Sequence, residues 1–428
     1  MFKDQITPTM SADRAREIAA SFDLRALPAD FLANPYPVYA ALRETEPIRR
    51  MPDGSCFLTR YADLVTVYRD AQTFSSDKHV EFAPKYGADS PLFEHHTTSL
   101  VFNDPPLHTR VRKLIMGALT RRAIAEMEPG LVQLVDQLLD RIDAQGGGDL
   151  IEDFASAIPV EIIGNLLDVP HGDRGPLRDW SLAILGALEP VVTPEQHTLG
   201  NRSVTEMLDY LRTLVTERRR RPGDPERDVL TRLIQGETNG DQLSEVELLQ
   251  NCIFLLNAGH ETTTNLIGNG LIALQEFPEA RVRLQHALKA SAGDAVAEEA
   301  VLGRAVDEFL RFESSNQLGN RRAVQDTHVG GVELPAGTLV TLCIGAANRD
   351  PAQFTHPEVL DLEREGNKHL AFGFGIHQCA GLSLARLEGR IAIGRFLQRF
   401  PGYRLTDTPV RGGRARFRGF LAAPFSVD

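Results

Sequence analysis

The chain has 428 residues, with 46 basic against 58 acidic side chains, and its formal net charge of −12 repels nucleic acid and anionic lipid surfaces. A hydrophobic fraction of 42% with 24% charged residues is ordinary globular composition and excludes a disordered or low-complexity chain. The opening residues, Met1 to Pro8, hold neither an apolar signal core nor a run of about 18 apolar residues able to span a bilayer, so the expectation is a cytoplasmic protein with no membrane segment.

In chain order, residues 1–33 read as a partly irregular extension. From Asn34 the pattern gives a helix (Pro35 to Glu44), a short strand pair around Cys56 to Thr59, and another helix from Ala62. Residues 75–100 mix polar, aromatic and turn residues without a sustained period and read as a long irregular loop, of the kind that carries function. Helical periodicity runs from Pro106 to about Arg221, broken at Gly146-Gly147-Gly148 and again from Glu189 to Gly200. Ser244 and Glu247 then form a capping box for an unusually long helix that Pro278 stops at Phe277, about 48 Å at 1.5 Å per residue.

After Asp326 come strand-like runs at Val329 to Leu334 and Leu339 to Ile344, a turn-rich stretch from Asn348 to Lys368, a Gly-rich loop and a last helix from Cys379 to Phe400. Helices far outnumber strands, with no internal repeat and no linker. The predicted fold is mainly α with small β-sheets, residues 34–428 forming one large domain around the long central helix.

Four cysteines, Cys56, Cys252, Cys343 and Cys379, contain no CxxC pair, which excludes a zinc knuckle and a disulfide framework. Cys379 alone has neighbours that ask for chemistry. It follows Phe372-Gly373-Phe374-Gly375-Ile376-His377-Gln378 and opens a helix, where free N–H groups and the helix dipole favour a thiolate. One such thiolate suits a soft metal, and a single cysteine points to haem rather than to zinc or iron–sulfur.

Ala258-Gly259-His260-Glu261-Thr262-Thr263 lies midway along the long helix. Gly and consecutive Thr are poor helix interior, so the segment gains something locally: Gly259 admits a flat cofactor, and a Thr hydroxyl can bond back to a carbonyl. Glu308 and Arg311, three apart, share a helix face and can pair.

Together Phe372-x-x-Gly375-x-x-x-Cys379-x-Gly381, Ala258 to Thr263, and Glu308-x-x-Arg311 resemble the signatures of the cytochrome P450 family, soluble bacterial type, in order and spacing from Asn34 to the C-terminus. The resemblance implies a haem-thiolate monooxygenase with haem b ligated by Cys379. Ala258, Gly259, Phe372 and Gly381 would contact the cofactor, and Glu261 with Thr262 would be the catalytic acid–alcohol pair that relays protons. His108, Arg112, His377 and Arg321, or Arg322 by a one-residue slip, would hold the propionates. Arg364 would complete a structural triad with Glu308 and Arg311. Glu261 stands where Asp is commoner, and Ser314 to Gln317 replace a stretch where many relatives have Pro, which leaves the substrate wall open.

The resemblance further implies insertion of one atom of dioxygen into a small, mostly apolar organic substrate by a monomer served by a separate ferredoxin and ferredoxin reductase. The basic run Arg110, Arg112 and Lys113 is the expected docking face. A peroxygenase or a haem sensor has no need of the Glu261-Thr262 pair. By position, residues 75–100, 177–200, 317–320 and 417–425 would line the pocket, with Lys78, His79, His95 and His96 facing either a carboxylate or solvent.

Overall fold

Ser244 starts the long helix as expected: its hydroxyl accepts the Glu247 N–H at 3.2 Å while the Glu247 carboxylate accepts the Ser244 N–H at 2.8 Å. The resulting helix, Glu245–Glu276, has 32 residues and is the longest among the described residues. The structure is a computed structural model that describes Phe2 and residues 10–225, 228–236 and 243–427. All of Met1 to Pro8 except Phe2 therefore lies outside the described residues, as do the last two residues of the polar stretch 221–227.

The central helix is buried on nearly every side, with Leu248, Ile253, Leu266 and Leu271 joined by Asn251, Asn257, Asn265 and Asn269. A helix without a solvent face belongs in the interior, and six α-helices make its broadest helix contacts. They are Pro91–Thr98, Ala157–Leu166, Leu177–Gly186, Pro194–Arg220, Ala295–Phe312 and Leu382–Arg399. The buried amides are spent on tying neighbours down: Asn251 donates to Thr98 O and Asn269 to Arg418 O.

The largest sheet has the strand order Ile48–Arg50, Cys56–Leu58, Leu339–Cys343, Leu318–Ala323, Phe74–Ser75. Only the pairing of Cys56–Leu58 with Leu339–Cys343 is parallel. Small antiparallel pairings complete the β structure, one of them bringing Pro424–Ser426 against Gly147–Asp149. The fold is thus a single, mainly helical domain with small sheets. Residues 12–33 contribute two helices, Ala12–Ser21 and Ala29–Ala33, and Phe22 and Phe31 place their rings 4.9 Å from Phe57 and 5.7 Å from Tyr39.

Three boundaries differ from the sequence reading. Residues 75–100 are not an irregular loop: they hold helices His79–Tyr86 and Pro91–Thr98, each too short to display a period, and the first contains Pro84. The interruption after Glu189 ends early, because Thr193 and Gln196 form a capping box that starts a helix at Pro194. The last helix begins at Leu382, leaving Cys379 in the loop before it.

Candidate active site

The Cys379 loop is shaped by two glycines with φ of +65° at Gly373 and +73° at Gly375. A Cβ on Gly375 would lie 2.3 Å from the Tyr68 carbonyl oxygen, so only glycine fits there. The Cys379 N–H donates to Phe372 O at 2.8 Å, closing the loop on itself. Cys379 lies deep in the protein, yet its surface is bare because it faces an internal cavity of about 330 Å³. Phe372, His377, Ala380 and Gly381 line the cavity beside it, and Phe254, Ala258, Gly259 and Thr262 of the central helix also line it. A Cβ on Gly381 would meet no protein atom within 4 Å, leaving that wall open to a ligand.

Opposing influences act on the Cys379 thiol. Burial pushes its pKa above the ordinary value, while the Gly381 N–H, Arg112 and Arg386 pull the other way without prevailing. Two residues ahead of the helix cap, Cys379 gets little from the helix dipole, so a bound cation must supply most of what holds it as a thiolate.

Cations crowd one edge of the cavity. Arg112 and Arg321 both line it, and neither they nor His377 have a carboxylate at ion-pairing distance among the described residues. Burial, Arg321, His108 and Arg112 together drive the His377 pKa far down. Strand alternation sends Arg321 into the cavity and Arg322 away from it. His108 is a step further out, its ring 4.2 Å from that of His377 and lining an adjoining hollow with Arg112, Lys113, Met116 and Ile376. A flat group carrying two anionic arms fits this arrangement, since no carboxylate among the described residues pairs directly with Arg112 or Arg321.

Glu261 and Thr262 are adjacent in sequence and separate in space. Thr262 lines the cavity, and its hydroxyl donates to Ala258 O at 2.8 Å. Glu261 faces a second, smaller chamber with Arg178, His260, Asn265 and Arg414. There Arg414 donates to Oε1 at 2.6 Å while Oε2 has no partner, and burial raises the carboxyl pKa to about 7 against the opposing pull of Arg414. Gly259 lines the cavity, but its smallness serves helix packing as well: a Cβ would lie 2.7 Å from Ile163 Cδ1 of the neighbouring helix Ala157–Leu166.

Glu308 and Arg311 are fully buried and bidentate, with 2.8 Å at each contact, and Arg364 reaches Glu308 at 3.0 Å. Arg311 also donates to the carbonyls of Asn348, Pro357 and Val359, so the trio fastens the turn-rich segment to helix Ala295–Phe312. Sequence reasoning missed Arg414 and Arg416. Their signal was the density of arginine in Arg411 to Arg418, an unusual charge for a segment packed against the interior, where Arg418 reaches Glu313 at 2.6 Å.

Comparison with known proteins decides the family. A cytochrome P450 family model matches residues 184–408. The biotin biosynthesis cytochrome P450 of Bacillus subtilis (strain 168) is 34% identical, over 90% of this chain and 95% of the relative. The chain belongs to the cytochrome P450 family. The vitamin D(3) 25-hydroxylase of Pseudonocardia autotrophica is 38% identical to this P450 over 85% of the chain and 86% of the relative. The solved structure of the epothilone D-bound cytochrome P450epoK superimposes with a TM-score of 0.83 at 34% identity, covering 95% and 99% of the two chains. This P450 is accordingly a haem monooxygenase, and its cofactor is haem b held by a cysteine thiolate. No helix among its described residues is long and apolar enough to cross a membrane.

Proposed function

We propose that Cys379 is the axial ligand, and that this P450 works in the cytoplasm as a monomer, oxygenating a small, mostly apolar organic substrate with electrons from a separate ferredoxin and its reductase. The carrying observation is the bare Cys379 surface in a cavity whose unneutralised cations, Arg112 and Arg321, mark where two propionates would lie. Haem, when bound, supplies the reductive activation of dioxygen, assisted by electron donation from the thiolate.

The protein's own part is to position, to exclude water and to deliver protons. Gly373 and Gly375 hold the loop that presents the sulfur, while Arg112, Arg321 and His377, backed by His108, take the anionic arms. Glu261 holds a proton near neutral pH, because a pKa of about 7 keeps both its forms populated there. Thr262 presents its hydroxyl to the cavity, with lone pairs left to accept once its proton is given to Ala258 O. Passing a proton from one to the other requires Glu261 to swing away from Arg414 or a water to bridge the two chambers.

Electron delivery favours the hollow beside the Cys379 loop, where Met116 (37% exposed) and Ile376 (40% exposed) lie among Arg112 and Lys113. Arg110 contributes less than its position in the basic run suggests, since it is paired with Glu247, and Arg112 donates to Gln378 O at 2.8 Å. An acidic ferredoxin suits what remains.

The deciding experiment is the absorption spectrum of the reduced, carbon monoxide-bound protein, wild type against Cys379→Ser, reduced first by dithionite and then by a ferredoxin with its reductase. A strongly red-shifted Soret band lost in the variant is expected. The same band in both proteins removes Cys379 as ligand, and a band that forms with dithionite but with no ferredoxin removes that partner.

A further inference from the structure

The cavity wall is rich in Leu, Ile and Phe, and polar side chains interrupt it at several places, Arg416 among them. Arg416 lines the cavity beside Asn320, whose side-chain oxygen it touches, and close enough to His96 to help hold that imidazole neutral. His96 is 1% exposed and its Nε2 has no hydrogen-bond partner. Ser315 Oγ and Asn316 Oδ1, on the segment bridged to Phe417, are also buried, unpartnered and part of this wall.

Arg416 is the unusual member. A guanidinium has five N–H donors. Three directions are anchored by neutral acceptors, Leu188 O and Leu318 O at 3.0 Å each and the Asn320 amide oxygen. Among the described residues no carboxylate lies within ion-pairing distance of it, and the two acids it senses are committed elsewhere. Glu189 accepts the backbone N–H groups of Ala415 at 2.8 Å and Arg416 at 3.1 Å, and Glu81 pairs with Lys78 at 2.9 Å. With Lys85 donating to the Glu189 carbonyl, the surroundings hold three cations against two carboxylates, so one positive charge is uncompensated. A buried cation fixed in place by neutral groups, with donors to spare and an apolar cavity before it, is arranged to receive an anion.

We infer that the substrate of this P450 is an organic acid, that Arg416 binds its carboxylate, and that the apolar wall takes the carbon skeleton. The inference rests on the monooxygenase reading for its cavity, and it names the substrate class within it. Burial keeps His96 neutral, so it adds no second charge, and Arg416 alone sets the preference for an anion.

The test compares acids with their own methyl esters on the purified haem-loaded protein, using dodecanoic acid and abietic acid as probes. Binding is read by calorimetry and by the substrate-induced shift of the Soret band. In the wild type at least one acid should bind more tightly than its ester by about tenfold to a hundredfold, the worth of a charge-assisted contact. Arg416→Gln should erase that preference, leaving ester binding and the carbon monoxide spectrum unchanged, and Arg416→Lys should keep part of it. Equal binding of acid and ester in both wild-type pairs, no binding by any probe, or a preference that survives in R416Q overturns the inference. Failure of the haem reading itself shows separately, in the carbon monoxide spectrum of the wild type. If R416Q does not fold, the wild-type comparison and R416K still decide.

Discussion

Two buried glutamates in this P450 meet arginine and end in opposite conditions. Glu308 has both oxygens saturated, by Arg311, Arg364, the Asn367 amide and the Asp361 N–H. Glu261 has one arginine, Arg414, and one bare oxygen, and burial lifts its pKa to about 7. A carboxylate fastened on every lone pair acts as a rivet. One left half-satisfied is poised to gain or lose a proton, which is what a relay needs.

The largest effect is expected from breaking the rivet. Glu308→Gln leaves Arg311 and Arg364 buried with a neutral partner, and removing one member of such a network costs about 3–5 kcal/mol. Because Arg311 also carries the carbonyls of Asn348, Pro357 and Val359, the loss spreads to the segment leading into the Cys379 loop. Expression of E308Q should give little protein able to form the red-shifted carbon monoxide complex. Recovery of wild-type amounts with an unchanged melting temperature would show that the network is ornamental.

Glu261→Gln is the milder counterpart, since the amide keeps the Arg414 contact but cannot ionise. Turnover should fall by about a hundredfold, the lower range for loss of a positioned proton-transfer group, with folding and the carbon monoxide spectrum intact. The wild-type carboxyl is protonated below pH of about 7 and ionised above it, so wild-type turnover should decline as pH rises through that value. The variant should lose this inflection. Equal rates, or an inflection that persists in E261Q, would assign the proton relay to another group.

The contrast between the two glutamates also marks what could be read from the chain. Glu308 and Arg311 are one helical turn apart, so their pairing was legible locally, and the Cys379 loop was legible because its glycines are dictated by backbone geometry such as the Gly375 approach to Tyr68. The capping box of Ser244 and Glu247 gave the start of the central helix for the same reason. Glu261 finds Arg414 across 153 positions, and no local pattern says which way a residue on a helix buried all round will face. The helices His79–Tyr86 and Pro91–Thr98 escaped because two turns hold too few apolar residues to show a period. The dipole argument at Cys379 leaves out burial, which no local pattern announces and which pushes the thiol pKa the other way.

A third glutamate extends the comparison to the case with no arginine at all. Glu388, on helix Leu382–Arg399, is 3% exposed and lines the cavity; its Oε2 has no partner, and burial alone raises its pKa to about 8. In the unfolded chain the same carboxyl titrates near its ordinary value of about 4.3. Between those two values the folded protein holds a proton that the unfolded chain has released. The contribution of Glu388 to stability is therefore fully present below pH of about 4 and is lost as pH rises toward about 8, by at most about 1.4 kcal/mol per pH unit. Glu388→Gln removes that dependence. Melting temperatures of the haem-loaded protein measured from pH 5 to pH 8 should fall more steeply for wild type than for E388Q, so that the variant gains relative stability as the pH rises. Parallel curves would mean that Glu388 keeps its ordinary pKa, and that some group in the cavity stabilises its charge as Arg414 stabilises that of Glu261.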